Sequence, residues 1–139
     1  MSEKLGAWHR WIGLIAVLVF FSTGLVMRLH HLDQLPDDSG RRMLFRSRHI
    51  YLLFIGILNI AVGLGYSVPR AGRGSRVGVI GSLLLLLALP LMAVAFFTEP
   101  LLLLHASPFS IFGVYAAVGG MLFYGLAAWP RKQTSQAGS

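Results

Sequence analysis

The chain of 139 residues contains no cysteine. Disulfides, thiolate metal sites, iron–sulfur clusters and cysteine nucleophiles are therefore excluded, and cysteine usage says nothing about redox compartment. Charge is scarce as well. Only 12% of residues are charged, against about 25% in an average soluble domain. Acidic residues are fewest, five against twelve basic ones, for a formal net charge of +7. No ionisable side chain sits in the middle of an apolar run, which argues against an ion-coupled transporter, a proton pump or a voltage sensor. No Ser/His/Asp or H-E-x-x-H arrangement appears. GLGYSVPRAGRGSR is rich in glycine but carries neither a P-loop nor a dinucleotide fingerprint, and reads as a turn. The polar stretches are too short for a catalytic domain outside the membrane, so the balance leans away from an enzyme.

What is present is apolar surface. Hydrophobic residues make up 55% of the chain and the mean hydropathy is +0.69, the composition of a membrane protein. The arginines lie in short clusters between apolar runs. That pattern suits topology signals and lipid headgroup contacts and excludes nucleic acid as a partner. Four runs are long enough to cross a bilayer, and lipid forces each to satisfy its backbone as a helix. The expectation is an all-α integral membrane four-helix bundle in a single domain, 1–139. Its helices are placed at about 9–29, 49–68, 77–98 and 109–129, with a disordered tail over 130–139. The first run, Trp11 to Met27, is 17 residues long with no A-x-A-like site after it, so it reads as a retained helix. EPLLLLHASP, residues 99–108, carries two prolines and reads as a bent interfacial segment.

Four spans place both termini on one side. Lys4, Arg10, Arg70, Arg73, Arg76, Arg131 and Lys132 fall there, seven basic residues against five (Arg28, Arg41, Arg42, Arg46 and Arg48) opposite. The positive-inside rule then favours cytoplasmic termini in a bacterial-type inner (plasma) membrane.

Histidines mark the ends of the runs. His9 and His30 are 21 residues apart, about 31 Å of helix, so they lie on opposite membrane faces and cannot share a ligand. His30, His31, His49 and His105 gather on the outer side near Asp33 and Glu99, with His9 alone on the inner side. The leading interpretation is that these histidines, like Trp8, Trp11, Tyr51 and Trp129, are interfacial anchors. The alternative gives them ligand roles: His49 with His105 or His30 for haem b, or His30, His31, His49 and His105 for a metal ion. Arg46 or Arg48 would then face the haem propionates.

Small residues supply the packing faces. His49, Gly56 and Gly63 recur every seven residues along α-helical geometry and admit a neighbouring helix or a flat macrocycle. Gly113, Ala117 and Gly120 do the same in the fourth run. Asn59, between Gly56 and Gly63, is expected to hydrogen-bond across to another helix. Ser22 and Thr23 can return their hydroxyls to backbone carbonyls. Pro90 removes a donor from the third helix, where a kink is expected.

His9-Arg10-Trp11-Ile12-Gly13-Leu14 followed by Ser22-Thr23-Gly24-Leu25 resembles the first helix of the PepSY-associated transmembrane family, which often opens H-R-W-L-G-L and closes on T-G-L. The resemblance covers about 20 of the 139 residues. It implies that His9 corresponds to the family's helix-start histidine, and it links the chain to membrane redox or metal chemistry.

Three functions follow, in order. The first is a non-catalytic accessory, assembly or scaffold subunit that packs against another membrane protein, or against itself, in the lipid bilayer. The second is a haem-b or metal-binding electron-transfer protein. The third is an oligomeric small-molecule carrier that uses Pro90 and Asn59.

Overall fold

The computed structural model of the chain describes residues 2–29, 39–65, 73–102 and 108–128. Four helices account for almost all of them: α1 (Ser2–Leu29), α2 (Ser39–Leu64), α3 (Arg73–Leu102) and α4 (Pro108–Ala128). Each contains a stretch long and apolar enough to cross a membrane. Their lengths of 28, 26, 30 and 21 residues correspond to about 42, 39, 45 and 32 Å. The chain is a small integral membrane protein, an all-α bundle of four spans.

Three helices start earlier than their apolar runs. α1 begins seven residues ahead of His9 and α2 begins ten ahead of His49, because polar and basic residues continue a helix that needs no lipid contact. α3 runs helical through both Pro90 and Pro100 to Leu102, so the first part of the expected interfacial segment is helix. The bend expected at Pro90 does not break the helix. Proline at position 108 opens α4, where its missing N–H belongs to a group that has no intrahelical partner anyway.

The bundle is built from two antiparallel hairpins. α1 and α2 form one, and glycines zip it. A Cβ on Gly13 would lie 2.9 Å from the Gly56 carbonyl oxygen, and one on Gly63 would lie 3.0 Å from that of Gly6. The face of α2 that carries His49, Gly56 and Gly63 is therefore covered by α1, a helix rather than a macrocycle. α3 and α4 form the second hairpin by the same device. A Cβ on Gly120 would meet the Gly81 carbonyl oxygen at 2.8 Å, and one on Gly113 would meet the Ala88 carbonyl oxygen at 3.6 Å. In both hairpins the small-residue contacts repeat at seven-residue spacing, which keeps one stripe of each helix against its partner. α2 and α3 join the hairpins through a core of Leu52, Ile55, Leu85, Ala88, Met92 and Phe96.

These contacts separate two kinds of glycine. Gly63→Ala and Gly120→Ala each push a methyl to within 2.7–2.9 Å of a facing backbone nitrogen, and each is expected to cost about 1–3 kcal/mol. Gly125→Ala meets nothing within 4 Å and is expected to be neutral, or stabilising by up to about 1 kcal/mol through helix propensity. Unfolding titrations in detergent micelles check this; equal effects at Gly63 and Gly125 would contradict the zipper.

Candidate functional site

Among the described residues, two buried polar clusters each join three helices, one near each end of the bundle. The first joins α1, α2 and α3. His9, Asn59 and Ser82 all have 0% exposure. Asn59 Nδ2 donates to the carbonyls of Ile55 at 2.9 Å and Leu85 at 3.4 Å, which leaves its Oδ1 to accept from His9 Nδ1 at 2.7 Å. The imidazole therefore carries its proton on Nδ1, and Nε2 accepts from the Ser82 hydroxyl. His9 and Asn59 sit about 8–10 Å inside the ends of their helices, which is within the apolar span.

His9 is thus no anchor at the membrane boundary, as its place at the edge of the apolar run suggested. Because α1 starts at Ser2, His9 falls on the third turn and on the same side of the helix as Gly6 and Gly13, the side that faces α2. Burial without polar partners would cost several kcal/mol, and Asn59 and Ser82 remove that penalty. The order Ser82 hydroxyl, His9 imidazole, Asn59 amide has the connectivity of a nucleophile–base–orienter triad. With no exposed surface on any member, no substrate carbonyl can stand beside Ser82 Oγ. The arrangement acts as a clamp across three helices.

The second place joins α2, α3 and α4. Arg48 reaches Glu99 through Nε at 3.0 Å and Nη2 at 2.8 Å, both to Oε2. Ser110 adds its hydroxyl to the same oxygen at 2.7 Å and its backbone N–H to Oε1 at 2.9 Å. Ser110 is the third residue of α4, so the carboxylate also satisfies an orphan donor in that helix's first turn and meets the positive end of its dipole. Arg48 Nη1 donates to Ser47 Oγ at 3.0 Å and Nη2 donates to Ser110 Oγ at 3.1 Å. Glu99 has no exposed surface and Arg48 is nearly as buried. Hydropathy alone puts both at the outer edge; the extensions of α2 and α3 bring them together inside the bundle as a buried ion pair.

The remaining candidates sort by position. The hydroxyl of Thr23 donates to the Phe20 carbonyl at 2.9 Å, so its oxygen accepts from His49 Nδ1 at 3.0 Å. The His49 ring stacks on Phe20 with centroids 4.0 Å apart, and its Cε1–Nε2 edge fills the space above Gly24. His49 therefore packs α2 on α1. His30, His31 and His105, with Asp33, Trp129 and the tail over 130–139, lie outside the described residues. Among the described residues no group of three or more His, Cys, Asp or Glu side chains could hold a metal ion. Gly56, Gly63, Gly113, Ala117 and Gly120 all lie in the seams between helices.

The ion pair makes a sharp energetic prediction. Glu99→Leu leaves the Arg48 guanidinium buried without its counter-charge and is expected to cost about 3–5 kcal/mol. Arg48→Leu/Glu99→Leu together are expected to recover most of that loss, since a packed apolar pair replaces a desolvated ionic one. Reversible unfolding in detergent micelles measures both; a single variant as stable as the parent would contradict the clamp. Comparison with protein-family models, with curated proteins and with solved structures finds no match to this chain, so the roles of these groups rest on their geometry.

Proposed function

We propose that the chain is a non-catalytic accessory or scaffold subunit, which presents one face of α4 to a helix of another membrane protein. The observation that carries this reading is Tyr115. It is 71% exposed on α4, about 10 Å inside the helix end, and its hydroxyl has no hydrogen-bond partner among the described residues. A hydroxyl facing hydrocarbon at that depth is costly unless something accepts it. One turn further along, a Cβ on Gly119 would meet nothing within 4 Å, which leaves an open notch beside the ring. Phe112, Tyr115, Gly119, Leu122 and Leu126 follow a three-four spacing, the seam that a second membrane helix packs against. The buried polar groups of the bundle support the same reading, because they serve contacts within the chain. The seven-to-five distribution of basic residues supports a bacterial inner membrane with both termini in the cytoplasm.

The absence of cysteine makes the test direct. Leu122→Cys in native membranes, treated with a thiol-to-amine or thiol-to-thiol crosslinker, is expected to give one discrete adduct larger than the monomer. Phe54→Cys, on the exposed face of α2, is expected to give none. Gly119→Leu added to the Leu122→Cys variant should abolish the adduct while leaving helix content unchanged. An adduct of twice the monomer mass would replace the heterologous partner by a second copy. Absence of any adduct at position 122, or an equal yield at position 54, would overturn the reading.

A further inference from the structure

α1 carries a groove of about 210 Å³ near its start, lined by Lys4, Ala7, Trp8 and Trp11. Spacings of three and four residues put these side chains on one face of the helix. Depth orders them. α1 is about 42 Å long against a hydrocarbon core of about 30 Å, so a centred helix projects about 6 Å at each end. Lys4, about 3 Å from the start, then stands among the headgroups. Trp8 and Trp11, about 9 and 14 Å in, lie at and just below the hydrocarbon boundary, 61% and 65% exposed. Ile15 and Leu18 continue the exposed stripe toward mid-membrane.

Every polar side-chain group in the groove is a donor without an acceptor. The Lys4 ammonium and the two indole N–H groups have no hydrogen-bond or ion-pair partner among the described residues, and no acceptor side chain lines the groove. Seven basic residues fall at this end of the chain's spans, against one acidic residue, Glu3. Glu3 and Lys4 are successive on a helix and do not share a face. Asp33, Asp37 and Asp38 belong to the connection between α1 and α2, across the membrane, and Glu99 is held at that end by Arg48 and Ser110. The four groove residues take part in neither clamp and are separate from the α4 face.

We infer that the groove binds an anionic phospholipid, its phosphate against Lys4, its ester oxygens against the Trp8 and Trp11 N–H groups and one acyl chain along Ile15 and Leu18. An indole suits this level because its body is apolar while its N–H takes an acceptor. A free phosphate would engage Lys4 alone. A phospholipid satisfies all three donors and covers the apolar stripe below them. A zwitterionic lipid brings its own cation to the phosphate and gains less from Lys4. One lysine near a membrane surface is worth about fivefold in affinity for an anionic lipid.

The test is native mass spectrometry of the full chain in detergent, titrated in parallel with phosphatidylglycerol, phosphatidylcholine and inorganic phosphate. Phosphatidylglycerol is expected to bind one-to-one and about fivefold more tightly than phosphatidylcholine. Lys4→Gln should bring it down to the phosphatidylcholine level, and Lys4→Arg should keep the preference. Trp8→Phe/Trp11→Phe, which keeps the rings and removes the N–H groups, should weaken both lipids about fivefold. Arg76→Gln, at the same end but on α3, should leave both unchanged. Equal binding of the two lipids by the parent, a Lys4→Gln chain that keeps the preference, or an equal loss in Arg76→Gln would overturn the proposal. Displacement of the lipid by millimolar inorganic phosphate would overturn it by assigning the site to free phosphate. A dimer that Trp8→Ala/Trp11→Ala abolishes, with no lipid bound to the parent, would overturn it by giving this face to a second copy.

Discussion

Apolar side chains gain nothing by leaving lipid for one another, so hydrophobic burial cannot hold these four helices together as it would in water. What remains is close packing and the pairing of polar groups that lipid cannot satisfy. The chain divides the two tasks. Glycines bring α1 against α2 and α3 against α4, where backbone meets backbone without intervening side chains. Polar groups then tie one hairpin to the other, His9 and Asn59 to Ser82 at one end and Arg48 to Glu99 and Ser110 at the other.

Magnitudes explain why the polar ties matter. One hydrogen bond between membrane helices contributes only about 0.5–2 kcal/mol, since an unfolded chain in the bilayer finds partners too. Misplacing the same groups costs more. A shift of α2 along α3 by one turn would strand a guanidinium and a carboxylate in a low-dielectric interior, at about 3–5 kcal/mol. The clamps thus specify register more than they add stability. Being at opposite ends, they also fix the direction of α2 against α3, because Asn59 can meet Ser82 while Arg48 meets Glu99 only when the helices run antiparallel. Glu99 has a second effect, since its bond to the Ser110 N–H orients the first turn of α4.

The architecture was legible from the sequence because bilayer thickness and the need to satisfy backbone groups leave few solutions for four apolar runs. Gly56, Gly63, Gly113 and Gly120 were legible as seams for the same reason, and Asn59 as a bond across helices. Their partners Gly6, Gly13 and Gly81 show the same seven-residue logic and could have been found by searching α1 and α3 for it. His9 could not be placed from hydropathy, because the run around it marks where lipid contact begins and not where the helix begins. Arg48 and Glu99 escaped for a related reason. They are 51 residues apart, each looks like an interfacial charge alone, and only the lengths of α2 and α3 bring them to one level.

The two clamps set the register of one hairpin against the other, and a distance measurement tests this most directly. With no native cysteine, spin labels at Leu18→Cys on α1 and Val118→Cys on α4 report the separation of the hairpins in lipid nanodiscs, while Leu87→Cys and Val118→Cys report within the second hairpin. Replacing His9, Asn59, Arg48 and Glu99 by leucine should broaden or shift the Leu18–Val118 distribution and leave the Leu87–Val118 distribution narrow. An unchanged Leu18–Val118 distribution would contradict the account and assign the joint to the apolar core of α2 and α3 alone.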